Sequence, residues 1–216
     1  DKNDKNIMDF ETAKRAIDYF VDNKEDLFST EYIVLDFIVG EPLLEINLID
    51  QIVDYFILST YQKKSKWFGR FRIMVQSNGV LFNTPEVQQF LEKNKSIVSL
   101  GITIDGTKRK HDMQRVFPNG AGSYDIVEEN YKLAFQKNYT NTTKVTFGSD
   151  DLKYMKESIV HLWDMGIINV PANIVYEDIW KEGDEKIYFE QLIELADYII
   201  DNHLWDRYNT SLFSDS

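Results

Sequence analysis

Short apolar runs and amphipathic stripes alternate along almost the whole chain, and that alternation most restricts the fold. Phe10, Ala13, Ala16, Ile17, Phe20 and Val21 recur at helical spacing. Tyr32 to Val39 then reads as a strand, and Leu44, Leu48, Ile49, Ile52, Tyr55 and Phe56 mark a second helix. Residues 59–70 read as a polar loop, followed by a strand from Phe71 to Gln76. Thr84-Pro85 predicts a helix start, with Thr84 as N-cap. A strand is expected over Val98 to Ile104, then a long loop to Gly122, then a helix capped by Ser123. Beyond it lie a strand from Thr142 to Phe147 and a helix from Leu152 to Met165, stopped by Gly166. Ile168 to Val175 reads as one strand containing Pro171. Glu185 to His203 reads as the last helix, and the tail from Tyr208 as the start of another strand. Strands separated by helices need right-handed crossovers, so the expected class is α/β with a parallel sheet.

The 216 residues suffice to bury a sizeable core, and 43% of them are apolar, so the chain is globular. No apolar run approaches the roughly 18 residues a membrane helix requires, and Asp1 to Asn6 lacks the pattern of a signal peptide. The expected location is cytoplasmic and no membrane partner is expected. A net charge of −12 argues against nucleic acid, whose phosphates need a basic face. There is no cysteine, which rules out disulfides, zinc–thiolate sites and iron–sulfur ligation by these residues. His111, His161 and His203 are widely spaced and form no ligand motif, so no metal site is expected.

Parallel α/β sheets build their sites at the carboxyl ends of strands. Here those ends are Val39-Gly40-Glu41-Pro42, Gln76-Ser77-Asn78-Gly79, Thr103-Ile104-Asp105-Gly106, Phe147-Gly148-Ser149-Asp150 and Asn173-Ile174-Val175-Tyr176-Glu177. They supply amides, hydroxyls and carboxylates, but no nucleophile–base pair. Such a rim suits a ligand with ammonium, carboxylate and ribose groups. Asp105 reads as a cap for its loop rather than a catalytic group. Trp163, Trp180 and Trp205 read as packing residues.

The series Gly40-Glu41-Pro42-Leu43-Leu44, Ser77-Asn78-Gly79, Ile102-Thr103-Ile104-Asp105-Gly106, His111-Asp112-Met113-Gln114-Arg115 and Gly122-Ser123-Tyr124-Asp125 resembles radical S-adenosylmethionine (SAM) enzymes. Among these it resembles peptide maturases with a C-terminal SPASM-type extension. Residues 143–147, 156–163 and 180–184 look like maturases of Cys-xxx-repeat peptides. The resemblance implies a partial (β/α)6 barrel over residues 1–207 whose first strand is missing, with 208–216 opening a C-terminal extension. It also implies SAM bound to a [4Fe–4S] cluster, a 5′-deoxyadenosyl radical, a reductant and a Cys-containing precursor peptide joined by thioether bonds.

By position, the backbone of Gly40, Glu41 and Pro42 is expected to accept the SAM ammonium. Asn78 and Thr103 are expected to face its ribose or carboxylate, Arg115 to pair with the carboxylate, and Asn173 to lie near the adenosine. Glu177 is a substrate-side candidate. The chain departs from the family in two places. Val39 stands where the family has a first glycine, and the CxxxCxxC loop that holds the cluster is absent. These residues alone therefore hold no cluster and are expected to be inactive. A cluster-free homologue acting as a peptide-binding or scaffold module is the alternative. A barrel enzyme for a phosphorylated metabolite is a weaker one, because no Gly-rich phosphate cradle is present.

Overall fold

The computed structural model describes residues 8–23, 29–177 and 179–213. They gather into two compact units, residues 1–77 with 81–100 and residues 78–80 with 101–216. In the first, α1 (Phe10–Asn23) turns Ala13, Ile17 and Val21 inward. Its polar side is tied to α2 (Ile46–Gln62), where the Tyr55 hydroxyl donates to Asp18 at 2.7 Å. The sheet runs β1 (Ile33–Phe37), β2 (Phe71–Ser77), β3 (Val98–Ile102). β1 lies parallel to β2, with Ile33 opposite Phe71 and Phe37 opposite Val75. Phe71, Ile73 and Val75 alternate with more exposed residues and bury one face of β2. Each such side chain is worth about 1.5–3 kcal/mol. α3 (Pro85–Lys93) covers this core with Val87, Phe90 and Leu91.

α2 continues through residues expected to be loop. Ser59 and Thr60 sit on its buried side, and the Thr60 hydroxyl donates to the Phe56 carbonyl at 2.8 Å. A hydroxyl satisfied within its own helix can be buried at little cost. Thr84 precedes α3 as expected, yet its hydroxyl donates to the Leu81 carbonyl instead of capping the helix.

In the second unit β4 (Val145–Phe147) pairs in parallel with β6 (Ala172–Ile174), and β5 (Asn169–Val170) with β7 (Asn209–Thr210). The strand expected from Ile168 to Val175 is thus two strands, divided at Pro171. Proline has no N–H to give a ladder, and its carbonyl accepts from Val145 instead. The tail strand is present but spans only β7, and residues 214–216 lie outside the described residues. Trp163 stacks on Tyr208 with ring centroids 5.3 Å apart, and Ser211 Oγ accepts from the Ala172 N–H and donates to its carbonyl, each at 2.8 Å.

The stretch expected to be a long loop contains α4 (Lys108–Gln114), introduced by Thr107. Its inward residues are Lys110 and His111, so it has no apolar stripe by which to be read. α5 (Tyr124–Gln136) starts where expected, but Ser123 does not cap it. The Asp112 carboxylate does, accepting from the Tyr124 N–H at 2.9 Å. After a 3-10 turn (Leu152–Tyr154), α6 (Met155–Asp164) ends before Gly166, and α7 (Asp184–Asp201) follows. No helix among the described residues is long and apolar enough to cross a membrane.

The loop after β3 lies hard against α6. Gly106 has φ +91°, and a Cβ there would fall 2.2 Å from Ser158 Cβ and 3.0 Å from its Cα. Gly106→Ala is expected to cost roughly 2–4 kcal/mol from overpacking and left-handed strain together. Urea unfolding checks this, and Ser158→Gly in the same chain should restore part of the loss. An unchanged midpoint for Gly106→Ala would show that the two segments do not approach so closely.

Candidate functional site

In the first unit, the end of β1 turns through Val39 and Gly40, at φ +80° and +68°. A β-branched residue in the left-handed region costs about 1–2 kcal/mol, so this turn holds a glycine-type path although its first residue is valine. Glu41 then fixes the exit. Its Oε1 accepts from the Leu43 N–H at 3.1 Å and from the Ser77 hydroxyl at 2.8 Å, tying the end of β1 to the end of β2. Pro42 is buried and starts a 3-10 turn over Pro42–Glu45.

In the second unit, a cleft of about 420 Å³ opens at the carboxyl ends of β4 and β6. Asp105, Lys110, Thr146, Asp150, Asp151 and Lys181 line it together with Gly148, Val175 and Ile179. At its floor, Lys110 is 1% exposed. Its Nζ donates to the Thr146 carbonyl at 2.7 Å and lies 3.3 Å from Asp151 Oδ2 and 3.9 Å from Asp105 Oδ1. The Phe147 ring covers the ammonium, with the centroid 4.8 Å away. Asp105 Oδ2 also accepts from Arg115 Nε. Two carboxylates therefore face two cations. That balance is what makes burial tolerable, since an unpaired charge here costs several kcal/mol.

A second route joins the same residues. The Asp105 N–H donates to His111 Nδ1 at 3.2 Å, and His111 Nε2 lies 3.0 Å from Ser123 Oγ. That hydroxyl donates to the Arg115 carbonyl at 2.9 Å. With Nδ1 accepting and the Ser123 proton committed elsewhere, the network assigns the proton of neutral His111 to Nε2. Burial pushes the imidazole down to about 4, against which the negative charge of Asp105 only partly works. Tyr124, edge-on to His111, has its phenol pushed up by burial and by nearby Glu128.

Of the residues expected to form the site, Gly40, Glu41 and Pro42 lie in the first unit, and Asn78, Thr103, Arg115, Asn173 and Glu177 in the second. Asn78 Oδ1 accepts from the Val80 N–H at 2.9 Å, and the Asn130 amide donates to the Gly79 carbonyl at 2.8 Å, so this turn is pinned from within its unit. Thr103 is half-buried just beyond β3. Asn173 stands opposite Thr146 on β6, and its side-chain oxygen accepts from Lys144 Nζ at 2.9 Å in the amide orientation that satisfies both partners. Glu177 is exposed beyond β6. Lys110, Asp151 and Ser123 were not singled out as site residues in the sequence. The available signal was Lys110-His111 inside the His111 to Arg115 segment, but a lone lysine gives no sign of burial. Asp105, expected to cap its loop, binds Arg115 and Lys110 instead.

No family model matches the chain. Over 179 residues it is 33% identical to the uncharacterized protein MJ0907 of Methanocaldococcus jannaschii, covering 81% of this chain and 55% of that protein. Its fold is similar to solved structures of native anSMEcpe with bound AdoMet, at a TM-score of 0.75 and 16% identity over 96% of this chain and 56% of that one. The structure of native anSMEcpe with bound AdoMet and Kp18Cys peptide gives 0.75 and 17% over the same shares. The chain has the expected α/β fold with parallel strands, and it shares that fold with these structures. It spans little more than half the length of these proteins.

The neutral, buried His111 makes stability depend on pH. Its folded value of about 4 lies below the ordinary 6.5, so the unfolded chain binds the extra proton first. The contribution is complete above pH 6.5 and is lost as pH falls toward 4, up to about 3 kcal/mol. Unfolding followed between pH 7 and 4 should show this slope, and His111→Gln should flatten it. A wild-type stability that does not change across this window would mean His111 is not held neutral.

Proposed function

We propose that this chain is the SAM-binding part of a radical SAM enzyme that modifies a ribosomally made, Cys-containing peptide, by thioether cross-linking. The observation that carries the reading is a fold shared with structures that contain AdoMet and a peptide, joined to the Gly-Glu-Pro turn and an arginine held beside the strand-end cleft. Arg115 Nε is engaged by Asp105, and among the described residues its terminal nitrogens have no protein acceptor. A planar guanidinium in that state can take a ligand carboxylate through its outer edge. The neighbouring cleft has the volume of a small-molecule site; Asp105 lines it, while Arg115 and the other residues assigned to SAM do not. These features fit SAM, which supplies the radical source once bound to a reduced cluster.

The residues here do not fit the cluster itself, because 216 residues without a cysteine offer it no thiolate. The role we assign to this chain is therefore binding and orientation. The Gly40 to Pro42 backbone would receive the ammonium, Asn78 and Thr103 the ribose or carboxylate, Arg115 the carboxylate and Asn173 the adenosine, with Glu177 on the substrate side. A precursor peptide and a cytoplasmic reductant would be the partners, and residues 208–216 would open the C-terminal extension. The lack of cysteine also favours a second reading, a cluster-free homologue that only binds peptide.

Two measurements test these readings, and the second separates them. Anaerobic reconstitution of this chain is expected to incorporate no iron, and SAM should bind it only weakly. Stoichiometric four-iron uptake would refute this. The whole protein, coexpressed with its precursor, should yield a peptide that loses a pair of hydrogens and one alkylatable thiol per cross-link. Free thiols throughout the product would reject thioether chemistry, and absence of any modification would favour the binding module.

A further inference from the structure

We infer that Asp105 is a positioning residue that presents the terminal edge of Arg115 to the carboxylate of an amino-acid-bearing nucleoside. The inference rests on the SAM-binding reading and deepens it. A surface arginine spreads over many rotamers, and fixing one on binding costs affinity. Arg115 avoids part of that cost because Asp105 holds its side chain directly and its backbone through a hydrogen-bonded relay. The Asp105 carboxylate accepts from its Nε. The Asp105 N–H leads through His111 and Ser123 to its carbonyl. Its own N–H donates to the His111 carbonyl at 2.9 Å.

Asp105 is itself immobile. It is 6% exposed, its Oδ1 lies 3.4 Å from the Thr146 N–H and 3.9 Å from Lys110 Nζ, and Lys110 is anchored by the Thr146 carbonyl and Asp151. An Nε held from one side leaves the outer edge as the remaining two-donor face. Only a planar group with separate donor edges can serve two carboxylates in this way. Lys110 also leaves Asp105 less than a full negative charge to spend on Arg115, so the guanidinium keeps part of its pull on a second anion.

The test is a ligand-observed NMR titration of this chain with S-adenosylmethionine and with 5′-methylthioadenosine, which lacks the amino-acid carboxylate. Wild type should prefer S-adenosylmethionine. Asp105→Asn keeps the shape but loses the charge. It should cut that preference about tenfold, the effect of one charge-assisted hydrogen bond, while 5′-methylthioadenosine binds as before. In an Arg115→Ala background, Asp105→Asn should change nothing further. A preference that survives Asp105→Asn overturns the inference but leaves SAM binding standing. A wild type that binds neither ligand overturns both. If Asp105→Asn does not fold, Arg115→Lys decides: its single ammonium should be absorbed by Asp105 and lose the preference, and full retention would refute the positioning role.

Discussion

One buried carboxylate facing two cations organises the second unit. Asp105 lies just past β3, Arg115 just past α4, and Lys110 reaches from α4 to the β4 backbone and to Asp151 beyond it. Remove Lys110 and the buried carboxylates of Asp105 and Asp151 lose the ammonium set between them, while Arg115 stays in reach of water. Deleting one partner of such a group typically costs 3–5 kcal/mol. The same residues that would meet a ligand therefore also set where α4 and the loop after β4 sit.

The first unit solves a similar problem at the end of β1 with a single carboxylate in a different role. Glu41 accepts from the Ser77 hydroxyl and the Leu43 N–H, so one carboxylate ties the two strand ends to the start of the 3-10 turn.

Much of this organisation could be read in the sequence. The alternation of strand and helix, the strand ends and the Gly-Glu-Pro turn all come from periodicity and from turn chemistry that depends on neighbouring residues. What stayed hidden depends on partners distant in sequence. α4 buries a lysine and a histidine, so its inward face carries no hydrophobic signal. The cap of α5 comes from Asp112, a full helix earlier, while the adjacent Ser123 serves His111 and the Arg115 carbonyl. Pro171 was visible, but not that the strand on either side of it would choose different neighbours. At the start of α5 a polar side chain from another helix does what local rules assign to a nearer residue.

Val39 shows how a strained turn can be held from outside. Its backbone bends as glycine would, although valine resists that path, and the Glu41 link to Ser77 holds the turn from the far side. A bend imposed by its surroundings can hold a side chain that the bend itself disfavours. The cost of the valine is then carried by the fold around the turn, and the turn alone does not decide which residue can stand there.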